Sequence, residues 1–174
     1  QPFMEERFRR EAKLLSTVDH PSVVRVIDFE TNKRDGTVLV LELAEGQTLE
    51  DALQEGPFEP KRAVSILLQL AAGLSAVHER GIIHRDLKPQ NIVIGPGPRG
   101  EQARLLDFGI ARLMELDTDS GPAKPELQPG TDPFMSLPGQ AVGTPAYVAP
   151  EQAMAQPVDS RTDVYAFVVV AFRM

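Results

Sequence analysis

One segment of the sequence combines charged side chains with apolar flanks: residues 82–94 read IIHRDLKPQNIVI. Asp86, Lys88 and Asn91 lie close together between runs of isoleucine and valine. A carboxylate can accept a proton, an ammonium can offset negative charge, and an amide oxygen can bind a hard cation. Because charged groups resist burial, the flanks indicate a polar loop anchored in a core. Such a loop is either an ordinary charged turn or a rigidly held site.

Composition narrows the class of protein. The chain has 174 residues, of which 42% are hydrophobic and 25% charged, as in an ordinary globular protein rather than a disordered tail. Its net charge of −7 gives no electrostatic footprint for nucleic acid. The absence of cysteine excludes disulfides and thiolate metal sites, and it suits a cytoplasmic location. The apolar run VYAFVVVAF is too short to span a bilayer, so we expect a buried core helix there.

The elements that must position the loop follow from periodicity and turn residues. Apolar spacing predicts a helix over 3–18, a second that starts at the TLED capping box at 48–51, and a third that runs from Pro60 to Gly81. Runs of β-branched residues predict two antiparallel strands, at 23–30 and 37–44, and a hairpin over 92–107. Residues 115–143 are rich in proline and glycine and form a predicted long loop. Both ends fall inside helical patterns, so we expect a fragment of a larger domain.

Three further motifs follow the charged loop in order. DFG lies at 107–109, GTPAYVAPE at 143–151 and SRTDVYAF at 160–167. Together with HRDLKPQN, the set resembles the eukaryotic-type protein kinases, and RFRREAKLL, HPSVV and APEQA resemble the bacterial Ser/Thr members most. The resemblance covers the whole chain. It implies an α+β, bilobal protein-kinase-like fold, with a partial small lobe over 1–44 and a partial, mostly helical large lobe over 45–174.

The resemblance assigns the catalytic roles. Asp86 is the carboxylate that accepts or orients the proton of a substrate hydroxyl, and Lys88 lies near the γ-phosphate of ATP. Asn91 and Asp107 are the expected ligands of two Mg²⁺ ions, which prefer oxygen. The hairpin that carries Asp107 is expected to bring it to the loop.

A second set is expected to bind the nucleotide. By resemblance, Glu11 pairs with a lysine on the third strand, Leu41 is the gatekeeper, Glu42 and Ala44 belong to the hinge that bonds adenine, and Val93 packs under the ring. Neither that lysine nor the glycine-rich loop over the phosphates occurs in these residues. We therefore expect these 174 residues alone to be inactive.

Other residues are expected to support the loop. The resemblance implies that Asp163 braces its backbone and that His84, Phe108 and Leu15 pack in one apolar column. Val168 replaces the usual glycine, and a β-branched residue there is expected to crowd its neighbour. Arg85 is expected to pair with a phosphorylated loop, for which the candidate phosphosites are Thr118, Ser120, Thr131 and Ser136.

The predicted function is transfer of the ATP γ-phosphoryl group to protein serine or threonine, a preference implied by Lys88 and Thr144. Expected partners are protein substrates and a second copy of the chain for autophosphorylation, with no nucleic acid and no membrane segment, although a longer parent protein could be membrane-tethered. Two alternatives stay open. One is an inactive kinase-like scaffold, and the other is a small-molecule phosphotransferase, which should lack GTPAYVAPE.

Overall fold

Two antiparallel sheets and five α-helices make up the described part of the chain. The computed structural model describes residues 10–32, 36–98, 100–108 and 145–174. The helices are α1 (10–15), α2 (Leu49–Gln54), α3 (Pro60–His78), α4 (Pro150–Ala153) and α5 (Ser160–Arg173). The strands are β1 (Val26–Asn32), β2 (Gly36–Leu41), β3 (Gln47–Thr48), β4 (Ile92–Gly97) and β5 (Gly100–Leu105), and short 3₁₀ turns lie at Pro89–Asn91 and Pro145–Tyr147.

The sheets follow the predicted hairpins. β1 and β2 pair antiparallel in one sheet, and β3, β4 and β5 form the other in that order, also antiparallel. β1 and β2 begin and end up to three residues from the predicted bounds, and β3 was not predicted. Pairing of Ile92 with Leu105 at the base of the second hairpin places the end of β5 beside the start of β4. The charged loop and Asp107 therefore share one end of this sheet.

Helix boundaries follow from capping chemistry. The hydroxyl of Thr48 accepts a hydrogen bond from the N–H of Asp51 at 3.1 Å and starts α2. Pro60 opens α3, where a missing N–H costs nothing, and the Glu59 side chain accepts from the N–H of Arg62. Gly81 follows α3 with φ of +72°, a left-handed conformation that favours glycine after a helix. These starts and stops confirm the predictions.

α3 lies at the centre of the core. Its buried face turns inward at helical spacing and comprises Ile66, Leu70, Gly73, Leu74 and Val77. Gly73 lets the helix approach the segment before β1, because a Cβ there would come within 3.0 Å of the Ser22 carbonyl oxygen. That segment is joined to β5 by a hydrogen bond from the Leu105 N–H to the same carbonyl at 2.9 Å.

The expected core helix over VYAFVVVAF is a helix, but it is buried on one face only. Ala166 and Val170 are buried, while Phe172 is 92% exposed and Val164 is also exposed. The expected core helix is therefore present with one buried face, and an apolar run alone does not tell which side has a neighbour. Val168 is exposed as well, so the crowding expected of it does not occur within the described residues.

Two other predictions meet limits. The first helix ends at residue 15 rather than 18, where the hydroxyls of Ser16 and Thr17 bond back to the Lys13 and Leu14 carbonyls. Residues 3–9 and the predicted loop at 115–143 lie outside the described residues. Among the helices that the structure does describe, none has the length and apolarity needed to cross a bilayer.

The α3 packing predicts a contrast between two leucines. Leu70 is fully buried, whereas Leu68 is 66% exposed. Leu70→Ala should lower the free energy of unfolding by about 2–5 kcal/mol, because it removes buried methyl groups and leaves a cavity. Leu68→Ala should change it by less than about 0.5 kcal/mol. Urea denaturation of both variants, followed by circular dichroism, measures the difference; equal losses would contradict the packing described here.

Candidate active site

The charged loop is anchored at both ends by the core. Ile82 is buried before the charged residues, and Leu87 is buried among them. Ile92 is fully buried where β4 begins. The last turn of the loop is the 3₁₀ segment Pro89–Asn91. The N–H of Leu106 donates to the Asn91 carbonyl at 2.8 Å, which ties this turn to the residue before Asp107.

Asp86, Lys88 and Asn91 form one hydrogen-bonded group. Lys88 Nζ lies 2.7 Å from Asp86 Oδ2, and the pair is partly buried. The Asn91 side-chain amide donates to the Asp86 carbonyl at 2.8 Å and to Oδ2 at 3.0 Å. Asn91 is buried, so these bonds also satisfy a polar group that would otherwise be costly to bury. The side chains predicted to act together are thus brought together.

Asp107 follows Leu106, whose N–H is bonded to the Asn91 carbonyl, and it is exposed. Its φ of +44° is left-handed, which is uncommon for a residue with a side chain and is a frequent sign of functional constraint. The described residues contain no cluster of three or more His, Asp or Glu side chains able to hold a metal ion alone. Any metal here would need further oxygen ligands from a bound molecule, as is usual for Mg²⁺.

A buried carboxylate holds the backbone of the loop. Asp163 on α5 is 1% exposed. Its Oδ2 accepts from the N–H of His84 at 2.8 Å, and its Oδ1 accepts from the N–H of Arg85 at 2.8 Å. Arg85 has a left-handed φ of +65°, and these bonds help to hold that unfavourable conformation. The predicted bracing role of Asp163 is confirmed.

His78 completes the environment of Asp163, and sequence reasoning missed it. Its Nε2 lies 2.7 Å from Asp163 Oδ2, which joins the end of α3 to α5. The sequence suggests only a structural histidine near a helix end. Because the two residues are 85 positions apart, no local pattern signals the contact.

The predicted packing of His84 against Phe108 is present. The His84 ring lies 4.6 Å from the Phe108 ring, centroid to centroid, and Leu15 belongs to the same buried core. Burial lowers the pKa of His84 below its ordinary value, and the nearby carboxylates of Asp163 and Asp86 only partly oppose this. The imidazole is therefore neutral at physiological pH and acts as a packing group.

Glu11 contacts the loop in this structure. Its Oε1 lies 3.7 Å from Arg85 Nη1, and both side chains are partly buried. The resemblance predicts that Glu11 pairs with a lysine on the third strand and that Arg85 pairs with a phosphorylated loop. Neither of those expected partners is among the described residues.

The residues expected to bond adenine lie in the segment that follows β2. The Glu42 N–H donates to the Arg25 carbonyl at 2.9 Å, and the Glu42 side chain accepts from the Arg25 N–H. Within the described residues, these bonds leave the Glu42 carbonyl and the Ala44 N–H without a partner. Leu41 is half-buried, and Val93 is buried on β4.

A second acidic contact orders the segment before α5. Glu151 Oε1 accepts from the Thr162 hydroxyl at 2.6 Å, a bond that lowers the pKa of Glu151. Thr144 and the four predicted phosphosites lie outside the described residues.

A charged contact that the sequence did not suggest lies nearby. Arg173 donates to Tyr147 and to Glu50, and both bonds raise the pKa of Arg173. Glu50 also accepts from Gln90, which belongs to the charged loop, at 3.2 Å. The end of α5 is thereby joined through α2 to that loop.

Comparison with known proteins shows the family to which this chain is similar. The protein kinase domain family matches residues 1–174. Serine/threonine-protein kinase pkn2 of Myxococcus xanthus is 51% identical over 174 residues, covering 100% of this chain and 19% of that protein. Serine/threonine-protein kinase PknB of Mycobacterium tuberculosis is 36% identical over 172 residues, covering 97% of this chain and 25% of that protein. The chain thus spans only a minor part of each relative.

Solved structures agree with the predicted α+β fold. The Mycobacterium tuberculosis PknI kinase domain matches with a TM-score of 0.67 at 24% identity, over 98% of this chain and 59% of that one. Rad53 1-466 in complex with AMP-PNP matches with a TM-score of 0.70 at 24% identity, over 96% of this chain and 37% of that one. At these identities the likeness establishes the fold alone.

The Asp163 contacts predict a local loss of order in Asp163→Asn. One amide N–H₂ would face a backbone N–H, so at least one of the two bonds must break. The His84 and Arg85 amides should then exchange with solvent faster by a factor of about ten or more, as expected for a loss of at least about 1.4 kcal/mol of local stability. Hydrogen exchange measured by NMR tests this, with Asp19→Asn, an exposed site, as control. Unchanged protection in Asp163→Asn would refute the bracing role.

His84 predicts an acid-sensitive stability. Its folded-state pKa lies below that of the unfolded chain, so the unfolded state binds more protons as pH falls through about 6.5. The free energy of unfolding should therefore decrease with falling pH in this window, by at most about 1.4 kcal/mol per pH unit from this residue. In His84→Phe, the free energy of unfolding measured by urea denaturation should decrease less steeply between pH 8 and pH 5. An identical slope in the two proteins would disprove the assignment.

Proposed function

This chain belongs to the protein kinase domain family, and from that membership we propose that it transfers the γ-phosphoryl group of ATP to serine or threonine hydroxyls of proteins. The proteins pkn2 and PknB, named serine/threonine-protein kinases, share 51% and 36% of their aligned residues with it. The observation that carries the proposal is the joined group of Asp86, Lys88 and Asn91 on a loop braced by Asp163.

Asp86 is the proposed base. Its carboxylate is held by Lys88 at 2.7 Å and by the Asn91 amide at 3.0 Å, so it has one fixed orientation. A substrate hydroxyl directed at this carboxylate gives up its proton as its oxygen bonds to the γ-phosphorus, while the bond from that phosphorus to the bridging oxygen breaks and ADP leaves. Lys88 carries a positive charge in the same place, where it offsets the negative charge of the transferred group.

Asn91 and Asp107 are the proposed metal ligands. Both described hydrogen bonds of the Asn91 side chain use its N–H₂ group, which leaves the carbonyl oxygen to coordinate a cation. The Asp107 carboxylate is exposed, and its neighbour Leu106 is bonded to the Asn91 backbone. Two oxygen donors of this kind suit Mg²⁺, which would supply positive charge to offset the negative charge of the ATP phosphates. The protein kinase family generally uses ATP with Mg²⁺.

The segment after β2 is the proposed adenine site. The Glu42 carbonyl and the Ala44 N–H are polar groups without partners among the described residues. As an acceptor and a donor, they complement the donor and the acceptor on an adenine edge. Val93 supplies a buried apolar surface, and Leu41, at the end of β2, is the proposed gatekeeper. Glu11 is the proposed partner of an ATP-binding lysine on the third strand, and among the described residues its carboxylate lies 3.7 Å from Arg85 Nη1.

The scaffold alternative predicts that ATP is bound but not consumed, and the small-molecule alternative predicts phosphate on a non-protein acceptor. The intact Asp86, Asn91 and Asp107 favour catalysis over the first. GTPAYVAPE favours a protein acceptor over the second, with protein substrates and a second copy of the chain as the proposed partners. We also propose a cytoplasmic location for this domain.

The proposal predicts that the full-length protein containing this chain incorporates labelled phosphate from Mg²⁺-ATP into serine or threonine of a generic protein substrate. Asp86→Asn should lower kcat by about 10²–10⁴-fold, because it removes the proton acceptor without changing size. Asp19→Asn, an exposed site, should leave kcat unchanged. Phosphoamino-acid analysis identifies the acceptor. Binding of ATP with no transfer by the wild-type protein would favour the scaffold instead.

A further inference from the structure

Gln152 reaches from α4 to the charged loop and makes two hydrogen bonds with opposite roles. Its Nε2 donates to the Arg85 carbonyl at 2.8 Å. Its Oε1 accepts from the N–H of Ala149 at 3.2 Å, at the start of α4. The second bond satisfies a helix-start donor within the same segment, as side-chain caps do. The first bond spans 67 positions of sequence and is the one that calls for an explanation.

The Arg85 backbone is held on both of its polar groups. Its N–H donates to Asp163 on α5, and its C=O accepts from Gln152 on α4. The carbonyl of Arg85 and the N–H of Asp86 belong to one planar peptide unit, so fixing that carbonyl sets the plane from which Asp86 extends. Because the left-handed φ of Arg85 is unfavourable, the Arg85–Asp86 peptide would turn to another conformation if these hydrogen bonds were lost.

We propose that Gln152 is a positioning residue for phosphoryl transfer, which holds the Arg85–Asp86 peptide plane so that the Asp86 carboxylate keeps its orientation. The role rests on the proposed kinase function. Within the described residues, the hydrogen bonds of the Gln152 side chain reach only backbone atoms, at Arg85 and Ala149. Its effect should therefore appear in kcat rather than in the KM for ATP.

Two substitutions separate this role from helix capping. Gln152→Glu keeps an oxygen that can accept from Ala149, but it places a second acceptor against the Arg85 carbonyl. Gln152→Lys keeps a donor for that carbonyl but loses the acceptor for Ala149. A positioning role predicts that activity follows the donor, so the lysine variant is the more active. A purely structural role predicts that activity follows stability in both variants.

The test is steady-state kinetics with thermal denaturation on the full-length protein. Gln152→Glu should lower kcat about tenfold to hundredfold, as small misplacements of a catalytic group do, with the KM for ATP changed less than about twofold. Gln152→Lys should retain more activity than Gln152→Glu despite a lower Tm. Gln156→Glu introduces the same charge four residues away at an exposed site and should match the wild type.

The outcomes separate the two claims. An active wild type whose Gln152→Glu variant keeps full kcat would overturn the positioning role and leave the kinase function intact. The same holds if kcat falls in proportion to Tm across both variants. A wild type that transfers no phosphate to protein would overturn the kinase function, and the positioning role with it.

Discussion

The hydrogen bonds of the Asp163 carboxylate are the interactions on which the candidate active site depends. Burying a carboxylate is costly unless its oxygens are hydrogen-bonded, and here both oxygens accept from the loop backbone while one also contacts His78. The carboxylate can be satisfied only when α3, α5 and the loop have all reached their native positions. A misplaced loop would leave a buried charge without partners, so the native arrangement is strongly selected.

The rest of the fold brings the other groups to this point. α3 fills the core beneath the β4–β5 hairpin, and the hairpin returns the chain so that Leu106 bonds to Asn91. α4 reaches the same backbone through Gln152. Asp86 thus follows a residue, Arg85, whose two backbone polar groups are bonded to two different helices. Rigid placement of this kind is what phosphoryl transfer requires, because the protein contributes mainly orientation and charge.

Local signals in the sequence predicted much of this arrangement. The capping hydroxyl of Thr48, Pro60 at the start of α3 and Gly81 after it each follow from backbone chemistry that involves only near neighbours. The ordered motifs also placed Asp163 on the loop backbone, which the structure confirms. Long-range side-chain contacts could not be found in this way. Nothing near His78 or Gln152 in sequence identifies a partner 85 or 67 positions away. The apolar run of α5 predicts a core helix, but it does not tell which of its side chains have a neighbour, because a run reports composition only.

The central claim is that Asp163 and Gln152 act together by holding the same Arg85 backbone. A double-mutant cycle on kcat with Asp163→Asn, Gln152→Glu and the combined variant tests it most directly. If both residues hold the backbone of Arg85 on its two sides, the second substitution should cost little once the first is present, with a coupling energy of about 0.5–3 kcal/mol. Fully additive losses in the combined variant would contradict the account.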